Sequence, residues 1–394
     1  MARNFVVVLG VSAFLCACSS ANGPSTVNDD SGGEGGEAVG GAGEGGQAGN
    51  GDHGGNAAGG RTDMQNAGDA GSASANGDAG APDAVVIPMG KVGVFVAAGN
   101  GGRTVTSCDD GKTWIAQEVI ENANEDHSPY THKGFAYGDG TFVQVSGWGN
   151  YARIKRSRDG VTWQRSEVKD YTFGGLGFSM GAFVGVDSFG SRVSRDGGVT
   201  WMPGGPSGHG YHVRGAGGGG PAVAGGGSDL TPVVTWNQGK TFIKATGCPG
   251  MDFSNLGQLG GAAFGGNAFV VMSAKGNFCK LVDGKVVKSG SVGGGVIGKV
   301  VWAGDHFYAP SVSRAYVSTD GESWASMIFK PVGIKVNVVA RSPAGTYVGI
   351  TQAGTGFYRS LDGVTWEKIN GPMGPNLIDL AYGVVDESAM CRAQ

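Results

Sequence analysis

Short runs of alternating apolar and polar residues, separated by glycine-bearing turns, recur along residues 84–394. One group reads GFAYGDG, TFVQVSG, ARIKRS and TWQRSEV between residues 134 and 168. Runs of this length and period predict four short strands of one antiparallel sheet. Equivalent openings occur at 260–273, 299–312 and 336–350. The pattern therefore predicts an all-β domain built from repeated four-stranded units.

Each unit contains a related turn. The copies read SCDDGKTW (107–114), SRDGVTW (157–163), SRDGGVTW (194–201), TWNQGKTF (235–242), LVDGKVV (281–287), STDGESW (318–324) and SLDGVTW (360–366). Their glycines run from Gly111 to Gly363, a span of 252 residues in six steps with a mean of 42. A period of about 42 residues is that of one four-stranded propeller blade.

The turn chemistry explains why the copies are alike. An Asp or Asn side chain accepts hydrogen bonds from backbone N–H groups ahead of it, glycine supplies a positive φ, and Trp or Phe begins the next strand. These turns resemble the Asp-box of the sialidase-type (BNR) repeat, whose full pattern is matched at 107–114 and 194–201. The resemblance implies a seven-bladed β-propeller in which the turn residues are structural: Asp109, Asp159, Asp196, Asn237, Asp283, Asp320 and Asp362.

The first unit lacks an opening strand, because KVGVFVAAG (91–99) begins directly at a second strand. A spare strand, NLIDLAYGVV, follows the last turn. We therefore expect residues 377–385 to pair with residues 92–98, so that the C-terminal strand closes the first blade and removes two exposed sheet edges.

Composition changes sharply near residue 84. Residues 18–83 are rich in the chain's 79 glycines and have almost no large apolar side chains, which predicts a disordered glycine-rich linker. Ten of the 33 acidic residues but only two of the 29 basic ones precede residue 84. The remainder is only slightly basic, and its Lys and Arg are spread along the chain, which does not favour a nucleic-acid partner.

The N-terminus resembles a bacterial lipoprotein signal. Residues 1–17 carry Arg3 and an apolar run too short to span a bilayer, and LCAC ends at Cys18. The resemblance implies a signal peptide over 1–17, lipidation of Cys18, and a membrane anchor that places residues 84–394 in the cell envelope. Ser19 favours the outer membrane by the same resemblance. The alternative is an ordinary cleaved signal and a free secreted product.

Four cysteines remain after Cys18: Cys108, Cys248, Cys279 and Cys391. An even number in an exported chain favours disulfides, and three pairings can be drawn. We favour Cys108 with Cys391, which would fasten the closing strand, and Cys248 with Cys279 in adjacent blades. Four free thiols are the alternative; a metal site is less favoured because no C-x-x-C pair is present.

Candidate ligand-binding residues fall in segments that do not repeat, on the face opposite the repeated turns. They are Glu121, Asp126, His127, Tyr130, His132, Trp148, Tyr151, His209, Tyr211 and His212. Aromatic and polar side chains together suit a glycan or protein contact, while His with carboxylates suits a divalent metal. A solvated loop surface is the third interpretation. We predict neither a metal nor a cofactor.

Sialidases use an arginine triad, a Tyr–Glu pair, an acid/base Asp and an Arg-Ile-Pro motif, and none of these can be assigned here residue by residue. The only Arg-Ile is Arg153–Ile154, followed by Lys155. Other Asp-box propellers, such as photosystem assembly factors and sortilin-type receptors, bind proteins or peptides. We therefore expect a binding module for an unknown protein or glycan rather than an enzyme. The alternative is a carbohydrate-active enzyme or glycan-binding module.

Overall fold

A computed structural model of the chain describes residues 87–116, 131–147, 151–186, 190–206, 213–214, 222–224, 231–249, 260–293, 297–351, 356–372 and 377–393. The residues at 151, 213–214 and 222–224 are described by their backbone alone. The signal peptide, Cys18 and the glycine-rich linker, all predicted from the sequence, lie outside these ranges.

The described residues form four-stranded antiparallel sheets in chain order. The first contains β1 (Lys91–Gly99), β2 (Thr104–Ser107) and β3 (Ile115–Ala116); the second β4 (His132–Gly138), β5 (Thr141–Ser146), β6 (Tyr151–Ser157) and β7 (Gln164–Lys169). The third contains β8 (Gly175–Ser179), β9 (Ala182–Val186), β10 (Ser191–Ser194) and β11 (Met202–Pro203); the fourth β12 (Val213–Arg214), β13 (Ala222–Ala224), β14 (Val233–Thr235) and β15 (Ile243–Lys244).

The fifth sheet contains β16 (Gly261–Gly265), β17 (Ala268–Met272), β18 (Asn277–Val282) and β19 (Lys285–Ser291). The sixth contains β20 (Val301–Trp302), β21 (Phe307–Ser311), β22 (Arg314–Ser318) and β23 (Ala325–Ile328); the seventh β24 (Val338–Arg341), β25 (Tyr347–Ile350), β26 (Phe357–Ser360) and β27 (Glu367–Ile369). The last strand, β28 (Leu377–Asp386), returns to the first sheet.

Six of these sheets contain strands of four residues or more, whereas the strands of the fourth sheet have two or three residues each. The strand at the edge opposite the fourth strand of each sheet, which we call the innermost strand, contacts those of neighbouring sheets, as β4 contacts both β8 and β28. The innermost strand is β28 in the first sheet and β4, β8, β12, β16, β20 or β24 in the others. Radial packing of small antiparallel sheets is the architecture of a β-propeller. The chain is thus an all-β propeller.

Helix is scarce. The described part of the chain contains only a 3-10 turn at Asn100–Gly102 and the one-turn α1 (Ala389–Arg392). Within the same residues, no helix has the length and hydropathy needed to cross a bilayer.

The hydrophobic core lies between adjacent sheets. Phe95 and Val105 of the first sheet pack with Val348, Ile350 and Phe357 of the seventh, and all five are at least 97 % buried. Each core layer is formed by side chains from two adjacent sheets. Each sheet therefore depends on both of its neighbours for the burial of its apolar side chains.

The repeated turns join the third and fourth strands of their sheets. In the first, Ser107 Oγ donates to Asp109 Oδ1 (2.8 Å), Thr113 N–H donates to the same carboxylate (2.9 Å) and Gly111 N–H donates to Ser107 Oγ (3.0 Å). Side chains that accept from backbone N–H groups in the same way are those of Asp159, Asp196, Asn237, Asp320 and Asp362.

Asp283, predicted to belong to this set, differs. Val282 pairs with Lys285, so Asp283 and Gly284 alone form the β18–β19 turn, with φ of 49° and 77°. Two residues at positive φ are the signature of a tight hairpin, which leaves no extra residues for a carboxylate to cap. This copy of the sequence motif therefore serves as a hairpin turn.

The first sheet is closed by a strand from the other end of the fold. β28 pairs antiparallel with β1 from Lys91–Asp386 to Gly99–Leu377, which confirms the predicted pairing of residues 92–98 with 377–385. The Cys108–Cys391 disulfide joins residues 283 positions apart at the same sheet, and Cys248–Cys279 spans 31 positions. Both pairings are those favoured from the sequence.

A polar contact that the sequence analysis did not predict joins the first sheet to the seventh. Asp110, in the first repeated turn, accepts from Ser342 Oγ (3.0 Å) and from Thr346, and pairs with Arg359 Nη2 (3.1 Å). The Cys108–Cys391 disulfide packs instead against the core between the first and second sheets, so the first sheet is fastened to each of its two neighbours by a different contact.

The two disulfides should differ in their contribution to stability. We expect the double substitution C108S/C391S to lower the free energy of unfolding by about 2 kcal/mol more than C248S/C279S, because the loss of loop-closure entropy grows with the closed segment. Urea unfolding at pH 7, followed by tryptophan fluorescence, measures the difference. Equal losses in the two double variants would contradict this account.

Candidate functional site

Of the ten predicted binding residues, the structure describes the side chain of one. His132 is the first residue of β4, and Tyr151 is the first residue of β6, described by its backbone. The others lie outside the described residues: Glu121, Asp126, His127, Tyr130, Trp148, His209, Tyr211 and His212. The surface they were expected to form stays a prediction.

His132 is the first residue of β4, the innermost strand of the second sheet, and its side chain is only 2 % exposed. Gln144 Nε2 donates both to the Gly99 carbonyl (2.8 Å) and to His132 Nδ1 (3.2 Å). Because the contact with the carbonyl sets the orientation of the amide, Nδ1 of His132 is assigned as the acceptor and Nε2 as the atom that carries a proton. Nε2 lies 3.8 Å from Asp379 Oδ2, beyond hydrogen-bond length, and has no hydrogen-bond partner among the described residues.

Asp379, on β28, pairs with Lys299 Nζ at 2.7 Å. Lys299 precedes β20 of the sixth sheet, and the seventh sheet lies between it and β28, so this ion pair reaches past one whole sheet. The backbone N–H of Lys299 donates to the carbonyl oxygen of Asn337, just before the first strand of the seventh sheet (3.2 Å). We call His132, Gln144, Lys299 and Asp379 the channel mouth; this polar cluster is largely buried, and Lys299 is its one member that also lines a cavity among the innermost strands.

The charge at the channel mouth is fixed. Burial acts to raise the pKa of Asp379, but the Lys299 ammonium and His132 outweigh it and lower the pKa to about 2. The carboxylate is therefore ionised at neutral pH, and it serves as an acceptor rather than as a proton donor.

Lys299 and residues of the innermost strands line a cavity of about 270 Å³. Six of the lining residues occupy the same register position in their respective sheets. Each is paired with an aromatic residue of the adjacent strand. They are Tyr137, Phe178, Phe264, Trp302, Arg341 and Tyr382, and we call them the belt. Five are aromatic and one is a cation.

Glycines of neighbouring strands make room for the rings of the belt. A Cβ atom on Gly265 would lie 1.9 Å from the Trp302 ring, and one on Gly138 would lie 2.1 Å from Phe178. Such distances exclude any larger residue without displacement of the ring, so the high glycine content inside the fold is in part a packing requirement of the belt.

Arg341 is the last residue of β24 and the exception in the belt. Its Nη1 donates to the Ala303 carbonyl, and its guanidinium lies 5.3 Å from the centre of the Tyr347 ring. Its Nε is buried without a hydrogen-bond partner, and Arg341 forms no ion pair with any described residue. The cavity thus contains a cation whose donors are incompletely used.

Arg341 lies at the end of the cavity away from the mouth. The hairpin that follows it contains Ser342 and Thr346, which contact Asp110 in the first repeated turn. Lys299 is level with Asn337, four residues before Arg341, and four residues of strand span about 13 Å. One cation therefore lies near each end of the cavity.

His306 contacts Tyr347, the residue whose ring lies against Arg341. His306 Nδ1 lies 2.6 Å from Asp305 Oδ1, and its Nε2 lies 3.1 Å from the Tyr347 hydroxyl. Tyr347 is 3 % exposed, and burial raises its pKa to about 12 although Arg341 acts to lower it. The phenol stays protonated and buried, so the arrangement positions Tyr347 beneath Arg341 and does not activate a nucleophile.

The sequence analysis missed the belt, Lys299, Asp379 and Arg341. One local signal was present: each opening strand places a large side chain shortly before its first hairpin, as in GFAYGDG, GLGFSMG and GAAFGGN. Alignment of those openings, rather than of the turns alone, would have found the belt. In the same alignment ARSPAG carries arginine where the others carry a ring.

Comparisons with known proteins give the following. No family model and no curated protein matches the sequence. Among solved structures, the chain is similar to YCF48 bound to D1 peptide (17 % identity, 60 % of this chain and 81 % of that one, TM-score 0.43). It is also similar to the WD40 β-propeller domain of Doa1, with 14 % identity over 76 % of this chain and 99 % of that one and a TM-score of 0.47. A putative 6-phosphogluconolactonase from Bacteroides fragilis is similar at 12 % identity over 76 % of this chain and 99 % of that one, with a TM-score of 0.48.

The channel mouth should make stability depend on pH in a defined window. The pKa of Asp379 falls from 3.8 to about 2 on folding, so its stabilisation is complete above about pH 4 and is lost as the pH falls toward 2. We expect D379N to lower the free energy of unfolding at pH 7 by about 1–3 kcal/mol, because Lys299 loses its partner.

The same variant should lose less stability than the wild type between pH 4 and pH 2, since it has no carboxylate to protonate at this position. Urea unfolding across that range measures both effects. D386N, which removes the exposed Lys91–Asp386 pair, is the matched control and should change stability by less than about 1 kcal/mol. Parallel pH profiles for D379N and the wild type would refute the assignment.

Proposed function

We propose that this chain is a bacterial cell-surface lipoprotein whose seven-bladed Asp-box β-propeller acts as a binding module for an envelope or extracellular partner. One observation carries the binding assignment. The cavity is lined by aromatic rings and two cations, Lys299 and Arg341, and a lining of mostly apolar side chains with a few polar groups is typical of a ligand-binding pocket.

The blade count and the Asp-box identity rest on two observations. The sheets number seven among the described residues, although the strands of the fourth are very short. Six of the seven sequence copies have side chains that accept from backbone N–H groups of their own turns. That pattern is what the Asp-box resemblance implies.

The lipoprotein assignment rests on sequence alone. LCAC places a small residue before Cys18, and the glycine-rich segment to residue 83 would hold the propeller away from the membrane surface. An outer-membrane position, inferred from Ser19, is part of the same proposal.

Glycan binding is the second candidate, since the faces of aromatic rings such as Tyr137, Trp302 and Tyr382 suit sugar rings. A glycosidase is less favoured. It requires two carboxyl groups flanking the bond to be cleaved, whereas none of the described residues that line the cavity is an Asp or Glu.

Lipidation can be tested in the full chain expressed in a Gram-negative host with a clickable palmitate analogue. We expect the wild type to be labelled and to sediment with membranes, and C18S to lose both properties, because Cys18 is the acylated residue. The neighbouring substitution C16S is the control and should keep the label. Label retained in C18S would contradict the anchor proposal.

Binding and catalysis can be separated with the full chain in detergent. We expect fluorogenic 4-methylumbelliferyl glycosides, including that of N-acetylneuraminic acid, to be hydrolysed no faster than in buffer. Turnover that is lost on heat denaturation would overturn the binding-module assignment. Thermal unfolding with envelope polysaccharides is the second measurement: stabilisation of about 2.7 kcal/mol at 100 times the dissociation constant would select the glycan alternative.

A further inference from the structure

We propose that the end of the cavity at Arg341 is a carboxylate-binding site, and that it takes an organic carboxylate whose apolar body lies against the belt. The proposal rests on the binding function proposed above and specifies its ligand class. It places the recognised charge at the end of the cavity opposite to the channel mouth.

The first step is the availability of Arg341. A guanidinium has five N–H donors in a planar fork, and within the described residues Arg341 directs them only to the Ala303 carbonyl and the Tyr347 side chain, which leaves most of the fork for a ligand. A buried Nε without a partner costs free energy that an incoming acceptor would restore. The Tyr347 ring on one face, at 5.3 Å, keeps the fork from turning freely.

The second step is the choice between the two cations. Lys299 already has Asp379 at 2.7 Å, so a ligand anion would have to compete with a resident carboxylate there. Arg341 has no such competitor among the described side chains. An anion that enters the cavity therefore gains more at Arg341.

The third step is the chemistry of the anion. A carboxylate is planar, carries one charge and matches a guanidinium with two parallel hydrogen bonds. A phosphate monoester would bring a second charge into walls made of aromatic and aliphatic side chains, which raises the cost of desolvation. The site thus favours a carboxylate.

The fourth step is the body of the ligand. Trp302 and Tyr382 both line the cavity and are only partly buried. A volume of about 270 Å³ holds a phenyl ring with a short chain but not a folded segment. A free organic acid and the C-terminal end of a peptide share this chemistry.

The experiment is isothermal titration of the full chain with two probe pairs. The pairs are 3-phenylpropionate with 3-phenylpropanamide, and N-acetyl-Gly-Gly-Phe with its C-terminal amide. We expect at least one acid to bind with a dissociation constant of about 1 mM or tighter, and its amide to bind at least about tenfold more weakly. The tighter of the two acids identifies the source as a free acid or a chain end.

Arg341→Gln should weaken binding of the acid about tenfold or more and leave the amide unchanged, whereas Arg341→Lys should keep part of the affinity. Arg314→Gln, in β22 and outside the cavity lining, is the matched control and should bind like the wild type. If Arg341→Gln fails to fold, the acid–amide difference in the wild type decides the matter.

Equal affinity of acid and amide, full affinity in a folded Arg341→Gln variant, or no binding of either acid would each overturn the carboxylate site. None of these outcomes bears on the lipidation or hydrolysis experiments. A carboxylate site that fails while a polysaccharide stabilises the protein would leave the binding-module proposal standing.

Discussion

The pairing of β28 with β1 is the constraint on which the rest of this propeller depends. The innermost strand of the first sheet is supplied by the far end of the fold, and it carries Asp379, Leu380 and Tyr382. Those residues belong to the channel mouth, the core and the belt. A cavity surrounded by innermost strands exists only when this strand is in place, so ring closure and formation of the candidate site are one event.

Polar and apolar residues have separate tasks in the ring. Serine, threonine and aspartate side chains cap the turns between third and fourth strands, where they satisfy backbone N–H groups that water would otherwise hydrate. Aromatic residues of the innermost strands instead pack between neighbouring sheets and line the cavity. Arg341 departs from that division, because it places a cation where five other strands place a ring. A departure from a repeat is informative here, since the repeated positions are already explained by stability.

The sequence predicted those features of the fold that depend on residues close together in the chain. The strands, the capped turns and the closing strand follow from apolar periodicity and from turn residues. Asp283 forms a two-residue hairpin turn that the sequence did not distinguish, because DG suits both a capped turn and a two-residue hairpin, and strand register decides between them. The ion pair between Lys299 and Asp379 could not be read from the sequence: its partners are 80 residues apart and meet only because of the size of the ring. Arg341 was visible but had no motif to mark it.

The order of the strands along the chain has a consequence for association between copies. The β1 edge, with Val94, Phe95 and Val96, is buried in the finished ring, but its partner strand follows 278 residues later. Until that strand arrives, β1 is an unpaired apolar edge of the kind that recruits strands from other molecules. Two copies that exchange β28 would each obtain a complete first sheet, with Cys391 of one chain beside Cys108 of the other. Exchange of β28 is therefore a low-cost route to a domain-swapped dimer, and it would preserve both cavities.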